Sequence, residues 1–325
     1  MIRLAIVGYG NLGRGVEAAV AQNEDFLLVG VFTRRDPASV SLQTPGIPVL
    51  PLSTLEDYQD KVDVVILCGG SATDLPVMTP ALAAKFHVVD SFDNHSKIPE
   101  HIANVHAAAR AADKTAIVSC GWDPGMFSLA RVFAQAALPV GQTYTFWGPG
   151  LSQGHSDAVR RIPGVLDARQ YTIPVEDALQ KVRNGENPQL TTRQKHTRVC
   201  YVVAEEGADR DVIREAIVTM PAYFADYDTT VHFITREEMA KNHSTMPHGG
   251  FVIRSGETAD GSGHTIEYSL KLQSNPKFTS SILVACARAA YKMAQRGEHG
   301  CFTMPEIRPC DLLAEPIEDI RARMI

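Results

Sequence analysis

Five runs of consecutive apolar residues, IRLAIVG (2–8), FLLVGVFT (26–33), VDVVILCG (62–69), HVVDSF (87–92) and TAIVSC (115–120), punctuate the first 120 residues. Their apolar positions are continuous rather than alternating, so each strand needs cover on both faces, as strands of a parallel sheet do. Helical spacing fills the gaps between several of them, most clearly from Asn11 to Gln22, where Leu12, Val16, Ala19 and Val20 share one face. Alternation of this kind calls for right-handed crossovers and builds a doubly wound α/β sheet whose ligands bind beyond the carboxyl ends of its strands. Those ends are where functional residues are expected.

After about residue 140 the rhythm changes. TYTFWGPG (143–150), HTRVCYVVAEEG (196–207), TTVHFITREE (229–238), GGFVIRSGE (249–257) and HTIEYSLKL (264–272) read as strands without regular helices between them. They predict an antiparallel sheet in a second, α+β domain. A long helix is expected over 276–296, with Pro276 in its first turn and Ile282, Ala285, Ala289 and Met293 along one face. A length of 325 residues is enough for two such domains.

Composition removes several classes. No run of about 18 apolar residues could span a bilayer. A net charge of −6 with no block of Lys or Arg argues against nucleic acid as a partner. The cysteines Cys68, Cys120, Cys200, Cys286, Cys301 and Cys310 have no C-x-x-C spacing, and no H-E-x-x-H occurs, so neither a disulfide framework nor a metal site is signalled. With Met1 leading straight into an apolar strand and no leader pattern, a reducing cytoplasm is the expected compartment.

Gly8-Tyr9-Gly10-Asn11-Leu12-Gly13 matches G-x-G-x-x-G where the first strand gives way to the first helix, the setting in which main-chain N–H groups receive a pyrophosphate. An NAD site usually carries an acid at the end of the second strand. Thr33-Arg34-Arg35 stands there instead, and two guanidiniums suit a 2′-phosphate, so NADP is the expected coenzyme. Cys68-Gly69-Gly70-Ser71 closes the next long strand, either for close approach to the coenzyme or merely as a turn. Ser91, Phe92 and Asp93, at the end of the strand after that, are counted with the same lining.

Two of the strand ends carry acids, Asp93 before Asn94-His95 and Asp123 within Gly121-Trp122-Asp123-Pro124-Gly125. Paired carboxylates there could accept an ammonium group and handle its proton. Local sequence leaves alternatives open: Asp123 before Pro124 also reads as a helix cap, and Asp93-Asn94 as turn chemistry.

GYGNLGR (8–14), SATD (71–74), DNH (93–95), GWDPGMFS (121–128), TFWGPGLSQGHSDAVRRIPGV (145–165), MPHGG (246–250) and NPKFT (275–279) together resemble the meso-diaminopimelate D-dehydrogenase family along essentially the whole chain. The resemblance implies NADP-dependent oxidative deamination of the D-centre of meso-2,6-diaminopimelate, in lysine biosynthesis, by a homodimer. The fold it implies is a Rossmann-type domain over 1–120, to which 276–325 returns, and a substrate-binding and dimerisation domain over 121–275. It sets Asp93 and Asp123 near the reacting amine as catalytic candidates, Trp122 and Trp147 as pocket walls, and Ser152, Gln153 and Gly154 in a loop over the substrate. It assigns the distal L-centre to Thr172, Arg198, His248 and Asn275.

Two readings compete with it on the enzyme's behaviour: a non-catalytic NADP-binding sensor, and a dehydrogenase of another D-amino acid. A serine hydrolase is suggested only by G-x-S-x-G at Gly150–Gly154, where Gly148-Pro149 before it and a polar stretch after it do not predict the strand and amphipathic helix that a nucleophile elbow requires.

Overall fold

In β1 (Ile2–Val7), Leu4 and Ile6 enter one core while Ala5 and Val7 enter another, and all four are buried. The computed structural model, which describes residues 1–325, continues the sheet through β2 (Phe26–Thr33), β3 (Val49–Pro51), β4 (Val64–Leu67), β5 (His87–Asp90), β6 (Thr115–Ile117) and β14 (Gly300–Phe302), with β4 and β6 buried throughout and β3 at a part-exposed edge. The order is β14-β6-β5-β4-β1-β2-β3, with every pairing parallel. Strand order therefore reverses beside β1, the switch point where open α/β sheets bind ligands. Helices Asn11–Val20 and Asn275–Gln295 close one core, and Leu75–Ala83 and Ile98–Ala111 close the other.

These elements form one of two units, Met1–Leu129 with Pro276–Ile325; the other is Ala130–Asn275. The first unit runs to Leu129 rather than 120 because Met126 and Leu129 pack against its core. The long helix is tied to it by Arg288, nearly buried, which donates to Asp25, Asn23 and the Leu312 carbonyl at 2.5–2.8 Å.

The second unit departs from the expected single antiparallel sheet. β7 (Val140–Trp147), β12 (His248–Glu257) and β13 (Gly263–Leu272) form an antiparallel sheet in the order β13-β12-β7. β8 (Gly150–Ser152), β9 (Val165–Pro174), β10 (His196–Ala204) and β11 (Asp228–Phe233) form another, β11-β10-β9-β8, in which β10 and β11 are parallel. Helices also intervene where none was expected: Gln153–Arg160, Glu176–Arg183, Thr192–Lys195, Arg210–Val218 and Arg236–Asn242. The helix Arg210–Val218 lies between β10 and β11 in the chain and provides the long connection that parallel pairing needs.

The reason these helices escape a periodicity search is their length. None buries more than a few side chains, such as Ile213 and Ile217, and polar ends define the rest: Asp209 caps one helix, and Thr191/Gln194 and Thr235/Glu238 form capping boxes on two others. β9 hides for a different reason, since its inward row is Ala168, Gln170 and Thr172 rather than large apolar residues.

Candidate active site

The glycine loop is shaped by close approach. Gly8 takes φ +89°, and a Cβ on Gly13 would stand 2.3 Å from the Gly8 carbonyl oxygen, so helix and strand meet there only through glycine. Gly10 is different. It occupies the cap position of Asn11–Val20, offers no side chain to the helix, and has no protein atom within 4 Å of where its Cβ would be. Gly10 also lines a cavity, which places that cavity at the helix N-terminus, a position suited to a pyrophosphate.

That cavity is lined by Gly8, Tyr9 and Gly10, by Phe32, Thr33, Arg34 and Arg35 at the end of β2, by Cys68 and Gly69 after β4, and by Leu52, Asp74 and Met78. Arg34 pairs with Asp74 at 2.8 Å, and Arg35 donates to the Tyr9 carbonyl at 2.6 Å. The Gly70 N–H, and after it Arg34, hold the Asp74 carboxyl below its usual range. A glycine-lined wall at a helix N-terminus and a two-arginine rim together fit a phosphorylated dinucleotide. Asn11, Leu12, Gly70, Ser71, Ser91, Phe92 and Asp93 were expected in this lining but lie off it. The Phe92 ring is buried and stacked on His101, while Ser71 Oγ accepts from the Asp93 N–H at 3.1 Å.

Asp93 is exposed on the loop after β5. Asp123 is half-buried in a turn whose flanks, Trp122 and Gly125, are bridged. Gly125 stands between that turn and the helix Met126–Ala137, at φ +128°, where a Cβ would come within 2.0 Å of the Gly121 oxygen. Trp122 is nearly buried and edge-on to Phe127.

In the second unit the expected residues converge on Arg198. β10 pairs with β9 so that Arg198 faces Thr172, and its guanidinium donates to the Thr172 hydroxyl. The same group lies over the Tyr227 ring, 3.9 Å from its centroid. It is 6% exposed, its Nε has no partner, and no carboxylate pairs with it. Burial accordingly lowers its pKa, against the pull of Tyr227.

Three imidazoles share this neighbourhood. Desolvation first, with the Arg198 charge adding to it, brings His155 and His248 down to about 4 and His196 to about 3, where Lys195 also contributes. His248 packs against Gly150, where a Cβ would meet its ring at 2.5 Å, and its Nδ1 accepts from the Gly249 N–H at 2.8 Å. Trp147 is held by its own N–H on His196 Nε2 at 2.8 Å, the two rings stacked at 5.3 Å. Gln153 reaches Met246 Sδ at 2.8 Å, and Asn275, the first residue of its helix, donates its N–H to the Met246 carbonyl. Gly154 is exposed, with open space where a Cβ would be.

His155, His196 and Tyr227 were not anticipated. His155 alone had a readable signal, standing three residues after Ser152. A strand does enter and a helix does leave at Ser152, contrary to expectation. Ser152 is nonetheless an ordinary cap at φ −92°, accepting from the His155 N–H, and its Oγ lies 2.7 Å from His155 Nδ1. The imidazole is set edge-on to Tyr223 and Phe224 with the positive charge of Arg198 acting on it, where a hydrolase would place a carboxylate.

Residues 121–274 match the family model described as diaminopimelic acid dehydrogenase C-terminal domain. A protein of Acetivibrio thermocellus named meso-diaminopimelate D-dehydrogenase is 56% identical over 326 residues, spanning 100% of this chain and 98% of its own length. Among solved structures, the Corynebacterium glutamicum DAP dehydrogenase in complex with DAP is 51% identical, with a TM-score of 0.93, covering 100% of this chain and 99% of that one. An engineered D-amino acid dehydrogenase bound to NADP+ is 49% identical, with a TM-score of 0.88 and the same coverage.

The neutral histidines have a measurable consequence. Their pKa values lie near 3 to 4 when folded, against 6.5 when exposed, so between these limits the unfolded chain binds more protons. Their contribution to stability is full above pH 6.5 and is lost as pH falls towards 4. Thermal melts at pH 7, 6 and 5 should show a falling Tm that flattens when His155 and His248 are both replaced by Asn; a melt insensitive to pH in this range would contradict their burial as neutral rings.

Proposed function

The chain belongs to the meso-diaminopimelate D-dehydrogenase family, and from that premise we propose how its residues serve the reaction and how it assembles. The activity is oxidative deamination of the D-centre of meso-2,6-diaminopimelate to L-2-amino-6-oxopimelate, with release of ammonium and reduction of a nicotinamide coenzyme, in lysine biosynthesis. Within this reading the coenzyme is NADP, supported by Arg34 and Arg35 at the cavity rim and by the NADP+-bound relative.

The observation that carries the substrate assignment is Arg198. A buried guanidinium without a carboxylate leaves several kcal/mol of desolvation uncompensated until an anion arrives. The distal carboxylate of diaminopimelate supplies that anion, with Thr172, His248 and Asn275 bonding the rest of the L-centre. Neutral histidines add hydrogen-bonding capacity there without a second positive charge.

At the other end of the substrate, Asp93 and Asp123 accept the ammonium and the proton it must lose before Cα–H cleavage. Trp122 and Trp147 wall the pocket, while Ser152, Gln153 and Gly154 border the substrate. A nicotinamide coenzyme, which Gly8, Tyr9, Gly10, Arg34 and Arg35 would hold, would supply the hydride acceptor. The chain's part is to fix which of two chemically similar ends is presented, since only the L-end is matched by the Arg198 group.

No helix is long and apolar enough to cross a membrane. A cytoplasmic enzyme is the reading best supported by six free cysteines. We read the assembly as a homodimer formed through the second unit, which leaves Val132, Phe133, Val140 and Ile266 exposed.

With purified protein, absorbance at 340 nm should rise with NADP and meso-diaminopimelate, and far less with the LL or DD isomers or with NAD. Replacing Arg34 and Arg35 by Ala should erase the coenzyme preference. NADP binding without turnover of any isomer would favour a sensor. In Arg198→Ala, KM for the substrate should rise about 100-fold with coenzyme affinity nearly intact; equal loss of both would refute the anchor role. Light scattering should give twice the 35.4 kDa chain mass, and a monomer would exclude the dimer.

A further inference from the structure

We infer that Asp90, the last residue of β5, is a positioning residue that sets the separation of the loops bearing Asp93 and Asp123, and thereby governs turnover without touching substrate. The inference rests on the proposal that those two acids serve the D-amino centre. Asp90 is fully buried, a placement that a carboxylate tolerates only when its lone pairs are used. Its Oδ1 accepts from the N–H of Phe92 and from that of Ser119, each at 3.0 Å. Its Oδ2 accepts from the Thr79 hydroxyl at 2.8 Å and lies 2.7 Å from His101 Nε2. Its carbonyl oxygen accepts from the Cys120 N–H at 2.9 Å. One side chain and its own peptide thus fasten the loop after β5, immediately before Asp93, to the loop after β6, just before Trp122-Asp123.

The backbone at Ser119 is the second observation. Ser119 adopts φ +58°, a left-handed conformation rare for a residue with a Cβ, and its hydroxyl is buried with no partner. Its side chain therefore contributes nothing to holding that conformation, whereas the bond from its N–H to Asp90 does. Strain maintained by a buried polar anchor is characteristic of segments whose exact course matters to function. Bracing comes from behind as well, because His101, itself buried on the helix Ile98–Ala111, stacks on Phe92 with ring centres 4.1 Å apart.

The experiment is a kinetic cycle on the full-length enzyme with meso-diaminopimelate and saturating NADP, run well below each variant's Tm. Asp90→Ala should lower kcat by about 30-fold or more, with the coenzyme Kd changed by less than about 3-fold, as expected for misplaced rather than missing reacting groups. Asp90→Asn keeps an acceptor for both N–H groups and can donate to Thr79 and His101, so it should recover most of the turnover. In an Asp93→Asn/Asp123→Asn background, Asp90→Ala should cost no more than about 3-fold further, because what it positions is gone. Wild-type kcat in Asp90→Ala, the same loss in both backgrounds, or an Asn variant as poor as Ala would overturn the inference while leaving the acid reading intact. Full kcat in Asp93→Asn/Asp123→Asn alone would remove that reading, and the inference with it. Should Asp90→Ala not fold, Thr79→Val carries the same comparison, with about a 5-fold loss expected in the native background and none in the other.

Discussion

A guanidinium buried without a carboxylate is the interaction around which the second unit is arranged. Arg198 is accommodated by a hydroxyl and an aromatic face, groups that solvate a cation without neutralising it. Its charge is felt by His155, His196 and His248, which it helps keep unprotonated. The close packing that makes this possible falls to glycine: Gly150 admits His248, and a Cβ on Gly148, at φ +98°, would meet the Thr172 carbonyl at 2.0 Å. An arrangement that leaves a cation waiting in a weakly polarisable surround is costly in the free protein, and it makes the arrival of a matching anion correspondingly favourable.

The first unit solves its recognition problem in the opposite way, with main chain instead of side chains. The glycine loop before the first helix offers main chain that any residue would carry, provided no Cβ intrudes. That difference explains what was legible in the sequence. A main-chain site leaves a spacing of glycines between a strand and a helix, and the cavity beside β1 was readable from Gly8, Gly10, Gly13 and the Thr33-Arg34-Arg35 that follows. The parallel sheet was readable too, because consecutive apolar residues such as Val64–Leu67 have only one way to be buried on both faces.

Arg198 and Thr172 leave no such trace. They stand on separate strands and meet only through register, and each is locally indistinguishable from an ordinary strand residue, so the roles proposed for them came from family resemblance and not from pattern. Tyr227 and His196 are further from reach, since one stacks on a charge and the other props up Trp147 by contacts that exist only after folding. The turn that carries Asp123 depends on a single residue: Gly125 has neither room for a Cβ nor an ordinary φ, and the helix begins only at Met126. Dinucleotide sites are legible because they are local; anchors for a two-ended substrate are not, because their parts are contributed by distant segments.

The placement of β14 bears on how such a chain comes to be folded at all. The strand that completes the edge of the first sheet beside β6, and the long helix that gives Leu283, Val284, Ala287, Ala290 and Met293 to one of its two cores, are both made after the whole second unit has left the ribosome. During synthesis the Ala130–Asn275 segment has all of its strands in hand, while the first sheet is still a six-stranded fragment with one apolar face covered only in part, by the helix Asn11–Val20. The part of the protein made first is therefore the last to become complete, and for the time needed to add those final residues the nascent chain carries a bare hydrophobic surface that chaperones, or neighbouring chains, can find.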